Sequence, residues 1–297
     1  MRPAKLEAIT NNIMLIHGER RGKFPNSHSI LILDESSGLI DTGCGPEVLQ
    51  DIKKHYDVDF IINSHTHPDH TACNWMFNEK PIYVPEEGLS TSGNVVTLSQ
   101  RFVSKELAPT WQKFVRGSMN FKNCTPTNSY TSRTTFNFGE TTILPIHTPG
   151  HTKDHYCFYI EKEKILFSFD YDLTEFPWYG HRESSISEFK ESVMKLKALP
   201  LETVVSSHRG IINERIDAEF TKYQSIIDER NAHILSLLKA EKTLGQLVDM
   251  APIYGAFPYA PKLLRYWEEK MIEKHLNELE IHQKIRKTPT GYTRIYN

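Results

Sequence analysis

Cysteine is scarce in this chain: four occur in 297 residues, Cys44, Cys73, Cys124 and Cys157, and no two form a CxxC pair. That spacing indicates neither a thiolate zinc knuckle nor a disulfide framework, so a reducing, cytoplasmic setting is the expectation. Net charge is equally scarce. Thirty-five basic residues against thirty-seven acidic ones leave a formal charge of -2, and no large positive field is available to hold a nucleic acid. There is no run of about eighteen apolar residues, and the opening MRPAKLEAITNN lacks the apolar stretch of a signal peptide. Neither export by that route nor a membrane span is expected. Repeats and low-complexity segments are missing as well. What remains is ordinary for an enzyme, 39% hydrophobic and 24% charged, in a length that buries one large core or two modest ones.

The first two thirds carry short apolar runs bounded by Gly, Pro, Asn or Asp: NIMLIHG, HSILILD, GLIDTG, DFIINSH, TTILPIHTPGH, HYCFYI and KILFSFD. Their length and their Ile, Leu, Phe and Tyr content predict strands. Helical spacing appears between them at Pro46 to Tyr56, with proline at a plausible first position, and at Ile186 to Leu199. Residues 86 to 135 break the rhythm with a helical piece around Leu98 to Val115, which predicts a lid or substrate wall. From Glu214 the pattern becomes three helices and a short hairpin around Pro-Thr-Gly. The expected division is 1–213 for a layered α/β domain and 214–297 for a helical, winged-helix-like unit.

Chemistry concentrates in NSHTHPDHT, where His65, His67, Asp69 and His70 fall within six positions. Residues i and i+2 of an extended chain point to the same side, so His65 and His67 can grip one metal ion. Asp69 and His70 lie past the turn at Pro68 and face a different centre. Further ligand types stand at the ends of other apolar runs: His151 after LPIHTPG, Asp170 after KILFSF and His208 after TVVSS. Strand ends are where an α/β sheet presents its chemistry.

This ordered set, HxHxDH followed by TPGHT, a strand-end Asp and a final His, resembles the metallo-β-lactamase superfamily of hydrolases over about residues 10 to 213, and GLIDTG with Asp41 resembles its early Asp-Thr-Gly turn. The resemblance implies a four-layer αβ/βα sandwich and two divalent metal ions, zinc by default with iron or manganese compatible. His65, His67 and His151 would hold the first ion, Asp69, His70 and His208 the second, and Asp170 would bridge them. Asp69 would also orient the attacking water. Tyr171 is a candidate donor to the carbonyl oxygen or leaving group, and Asp41 a candidate partner that fixes a histidine tautomer. Two departures stand out: Phe169 and Ser207 occupy positions where the superfamily commonly has glycine, and the bulk of Phe169 and Arg209 is expected to reshape the pocket or weaken the second site.

Phe176, Trp178, Tyr179 and His181, with Tyr254, Phe257 and Tyr259 from the tail, are candidate pocket residues, whereas His28, His147 and His155 read as structural. The function implied is hydrolysis of a small ester, thioester or lactone, in the manner of glyoxalase II or the lactonases. The C-terminal unit resembles the winged-helix tail of the β-lactamase-like protein 2 subfamily, so a ribonuclease or phosphodiesterase using that tail is one alternative; a single-iron persulfide dioxygenase is another. The partner expected is a small-molecule substrate, with nucleic acid disfavoured by charge, no membrane, and a homodimer as the default assembly.

Overall fold

Strands whose residues alternate between two buried faces set the architecture. The computed structural model describes residues 4–296, so the first three residues and the last one of the expected spans lie outside the described residues. One sheet has seven strands in chain order: β1 (Leu6–Ala8), β2 (Ile13–Ile16), β3 (Ser29–Leu33), β4 (Ser37–Ile40), β5 (Phe60–Ile62), β6 (Ile82–Pro85) and β7 (Asn128–Tyr130). The second has six: β13 (Gly210–Ile212), β12 (Thr203–Ser206), β11 (Ile165–Phe169), β10 (Tyr156–Ile160), β9 (Thr142–His147) and β8 (Phe136–Asn137), in that order.

Period-2 alternation explains why both sheets read as continuous apolar runs. On β3, Ile30 and Ile32 enter the core between the sheets while Leu31 faces outward; on β10, Tyr156, Phe158 and Ile160 point inward while Cys157 and Tyr159 point out. The outward faces are covered by helices, so they are buried too. The helices over the first sheet include α1 (Pro46–His55), α4 (Val95–Phe102) and α5 (Ala108–Met119); those over the second include α6 (Ile186–Lys197) and α7 (Ile216–Leu237). Helix, sheet, sheet and helix make the four-layer sandwich.

Two single turns, α2 (Pro68–Thr71) and α3 (Leu89–Ser92), complete the helices of this region. Residues 86–135 are less a lid than a crossover: α3, α4 and α5 connect β6 to β7, which pair in parallel. The helical piece expected at Leu98 to Val115 is two helices. Asn94 caps α4, its side chain accepting from Val96 N, and Pro109 in the first turn of α5 cannot donate to a preceding helix, so the chain must restart there. The C-terminal region follows the expected order, with α7, α8 (Leu244–Asp249), α9 (Pro261–Ile281) and the antiparallel hairpin β14 (Ile285–Lys287) and β15 (Tyr292–Arg294). Helix α9 places Trp267 against the first sheet's core, Met271 against the second's and Leu276 in a core of its own with α7 and α8. Among the described residues no helix is long and apolar enough to cross a membrane.

Candidate metal centre

Strands β4 and β5 run parallel, as do β11 and β12, so Asp41, the His65 loop, Asp170 and His208 all leave their strands at one edge of the sandwich. Close backbone approach brings these loops together. Gly43 of the Asp-Thr-Gly turn lies against the Asp69 carbonyl, where an added Cβ would stand 1.6 Å from that oxygen. Gly150, at φ +124°, turns the chain into His151 where a Cβ would meet Phe189 N at 2.3 Å. Only glycine fits at either position.

Donor atoms fall into two groups, His65, His67, His151 and Asp170 in one, Asp69, His70, Asp170 and His208 in the other, each group within 4.8 Å of itself. Asp170 belongs to both. Its Oδ2 lies 3.1 Å from His151 Nε2, 3.7 Å from His65 Nε2 and 3.9 Å from His67 Nδ1, while its Oδ1 lies 2.8 Å from His70 Nε2 and 3.4 Å from His208 Nε2. Asp69 Oδ2 is 3.7 Å from His208 Nε2.

The remaining ring nitrogens are held from behind. His70 Nδ1 is 2.7 Å from Asp41 Oδ2, His151 Nδ1 is 2.8 Å from the Trp178 carbonyl, His208 Nδ1 is 2.7 Å from the Gly22 carbonyl and His65 Nδ1 is 3.0 Å from Ser64 Oγ. With a proton on Nδ1 of His70, His151 and His208, donated to these oxygens, the Nε2 lone pairs face the Asp170 carboxylate, an arrangement that a cation between them satisfies. At His65 and His70 no well-directed hydrogen bond forms: both Nε2 atoms are buried without one, His70 Nε2 facing Asp170 Oδ1 at 2.8 Å. Buried nitrogens are rarely left so, and an imidazole and carboxylate set suits zinc, iron or manganese.

The electrostatics favour a cation at the same place. Burial pushes the imidazoles of His65 and His67 below their ordinary range, His67 to about 4. His70 moves the other way, because the carboxylates of Asp170 and Asp41 outweigh the burial that opposes its charge, and His208 is raised to about 9 on the same balance, with Asp170 and Asp69 as the carboxylates. Asp170 is drawn well below the carboxylate range, although burial opposes it, by His70, His151 and His208. Positive charge is thus wanted between these groups.

Asp41 does more than hold His70. It also accepts from Ser64 N at 2.8 Å and Ser64 Oγ at 2.7 Å, fully buried. In an Asp41→Asn variant an amide NH2 on the His70 side donates to Nδ1 and drives the ring proton to Nε2, and on the other side it meets the Ser64 N–H, so either the His70 tautomer or a buried hydrogen bond is lost. Metal affinity measured by chelator competition is expected to fall about 10- to 100-fold, as for other outer-sphere partners.

Several expectations need correction. Tyr171 is excluded from the site: it is fully buried against Phe189, and its hydroxyl donates to the Pro149 carbonyl at 2.6 Å. The residue after a strand end continues the alternation, so with Asp170 turned into the groove Tyr171 turns into the core. Phe169 does not crowd the centre either. At φ +48° it sits in the bulge between β11 and β12 with its ring in the core between the sheets. Ser207 supports the centre, donating through Oγ to Asp170 Oδ1 at 2.8 Å. Arg209 turns away to Glu219 and the Leu173 carbonyl. Tyr179 leaves the pocket for His275 Nε2, 2.8 Å away. Of the histidines expected to be structural, His28 accepts from Gly18 N and His155 from Asp170 N, while His147 lies against the Lys153 carbonyl.

A cavity of about 480 Å³ opens on Asp69, Asp170, His151 and His208. Trp111, Phe114 and Val115 of α5 form one wall, Leu264 and Trp267 of α9 another, and Phe176, Trp178 and His181 a third, with Tyr254 and Tyr259 from the loop before α9. Phe257 stays outside it, packed between cores. One further group was not legible in the sequence. Thr66, between the two ligand-type histidines, donates to Asp154 at 2.6 Å, and Asp154 pairs with Arg101 of α4, which also pairs with Glu183. These partners are 35 to 88 positions apart, and no spacing rule connects them.

The metallo-beta-lactamase superfamily matches residues 22–91 and 126–208, leaving α4 and α5 outside the match. Among curated relatives, the lactamase-like protein aptB of Emericella nidulans is 24% identical over 252 residues, 80% of this chain and 69% of the relative. An atrochrysone carboxyl ACP thioesterase of Passalora fulva is 23% identical over 81% of this chain, which spans just under two thirds, 66%, of that relative. The human acyl-coenzyme A thioesterase MBLAC2 is 26% identical over 64% of this chain and 71% of its own length. A crystal structure of a metallo-beta-lactamase family protein from Thermus thermophilus superposes with a TM-score of 0.76 at 19% identity, covering 97% of this chain and all of that one. A beta-lactamase domain protein from Burkholderia ambifaria superposes at 0.74 with 14% identity over 99% and 95%.

Proposed function

Because the chain belongs to the metallo-beta-lactamase superfamily and is a metal-dependent hydrolase of that fold, we propose that it hydrolyses the thioester or ester of an apolar acyl group at a dinuclear centre, with zinc as the metal. The observation that carries the reading is Asp170, whose two oxygens each face a separate group of imidazoles that includes buried nitrogens without a well-directed hydrogen bond. His65, His67 and His151 would hold one ion, Asp69, His70 and His208 the other, with Asp170 shared. Bound there, a divalent metal supplies Lewis acidity, making water nucleophilic near neutral pH and polarising a carbonyl.

The chain's own residues then set what reaches that centre. Asp69 lines the cavity, its Oδ2 3.7 Å from His208 Nε2; besides holding the second ion it would orient water and take up its proton. The aromatic walls exclude bulk water and favour an apolar acyl chain over a sugar or a phosphodiester. Lys23 is the one lysine or arginine among the described residues that line the cavity, which serves a polyanion poorly. The names of the thioesterase relatives fit the same substrate class.

The test is metal content by elemental analysis together with turnover on thioesters, lactones, lactams and phosphodiesters. Two metals per chain and thioester cleavage are expected; one iron per chain with persulfide consumption would overturn the reading. The acyl site has its own check at Val115, buried on α5 in the cavity wall. Val115→Phe is expected to lower kcat/KM about 10-fold more for a long acyl thioester than for its acetyl counterpart.

A further inference from the structure

Beside the aromatic cavity lies a second groove of about 330 Å³, lined by Thr174 and Glu175 after β11, His208 and Arg209 after β12, and Glu219 and Lys222 of α7. Thr174 and His208 line both spaces, so the two meet at the wall where His208 Nε2 stands 3.4 Å from Asp170. Their chemistry is opposite. The first is walled by aromatic and aliphatic side chains, whereas the second carries two ion pairs, Arg209 with Glu219 and Lys222 with Glu175 at 2.9 Å. Each of these two cations is matched by a carboxylate, so the groove offers many donors and acceptors. Arg209 is further anchored to the Leu173 carbonyl at 2.7 Å, while Lys222 and Glu175 stand in solvent at 61% and 85% exposure.

A substrate carbonyl at the shared wall therefore has an apolar side and a polar side. We infer that the second groove binds the leaving group, a thiol or alcohol borne on an uncharged arm rich in amides and hydroxyls, while the acyl chain occupies the aromatic cavity. An uncharged hydrogen-bonding arm can exchange with water along both ion pairs without breaking them, which an anionic arm cannot do beside Glu175 and Glu219. In the reaction the acyl carbon gains a bond to water oxygen and loses its bond to sulfur, and the thiol leaves with one of water's protons as the acid forms. This assignment rests on the hydrolase reading above.

Two octanoyl thioesters that differ only in the arm, one of N-acetylcysteamine and one of pantetheine, separate the possibilities when compared on the metal-loaded protein. The wild-type chain is expected to prefer the longer pantetheine arm about 10-fold in kcat/KM. Lys222→Trp, which sets an indole in the groove at an exposed helical position, is expected to bring that ratio close to one, and Lys222→Ala to retain most of the preference. A wild-type ratio near one, or a ratio unmoved by Lys222→Trp, overturns the groove assignment alone. Failure to cleave either thioester removes the thioester reading and the assignment with it.

Discussion

Asp170→Asn is expected to lower kcat/KM by about 10³-fold or more and to leave less than one metal per chain after dialysis, at nearly unchanged side-chain volume. The magnitude follows from its position. Outer partners of a metal ligand are worth about 10- to 100-fold, and Asp170 is within reach of both groups of donors at once. Its charge matters as much as its lone pairs: its oxygens lie within 3.4 Å of the Nε2 atoms of His70, His151 and His208, and a neutral amide leaves His65, His67 and His151 with no carboxylate in their group and the second group with Asp69 alone. Ser207 would still donate to the amide oxygen of the variant, so folding should survive, and far-UV circular dichroism checks that it does. An Asp170→Asn protein that keeps two metals and full turnover would refute the dinuclear arrangement.

The second large effect is on stability. Asp154→Asn is expected to cost about 3 kcal/mol, near the lower end of the 3–5 kcal/mol found when one member of a buried ion pair is removed, because Glu183 still partners Arg101. For a chain of this size that is roughly a 5–10 °C fall in melting temperature by calorimetry. Asp154 is fully buried and held well below the ordinary carboxylate range: burial opposes its charge, but Arg101 outweighs it, helped by Thr66. A depressed carboxylate contributes stability above its unfolded value near 3.8 and loses it as the pH drops below that. The variant should therefore lose part of the acid sensitivity of the wild type. Asp57→Asn, which breaks an exposed pair with Lys80, is the control and should leave the melting temperature unmoved. Since Thr66 stands between His65 and His67, weaker metal binding should accompany the loss at Asp154.

Much of this was legible along the chain because strand ends are local events. Apolar runs announced β2 to β5 and β9 to β12, and the ligand-type residues that close several of them, with His65 and His67 two apart after β5, lie together in the structure. Of the strands missed, β1 has a single large aliphatic residue, β7 reads NSY, and β6 is four residues that open after Pro81 and close on Pro85. The departures at Phe169 and Ser207 looked like defects in one dimension. In three dimensions a positive φ at Phe169 sends its ring to the core, and Ser207 becomes a donor to Asp170.

By itself, then, the order of residues determined the layered α/β fold and the chemical type of the centre, since ligand identity, strand periodicity and the Asp-Thr-Gly and Pro-Gly turns act over a few positions. Tertiary structure alone decided that Tyr171 is core and Trp178 is cavity, that α5 and α9 close one apolar space while α7 flanks a polar one, and that Arg101 reaches Thr66. Those outcomes depend on which faces of distant elements are pressed together to bury apolar surface, and side-chain direction follows from that packing rather than from any neighbour in the chain.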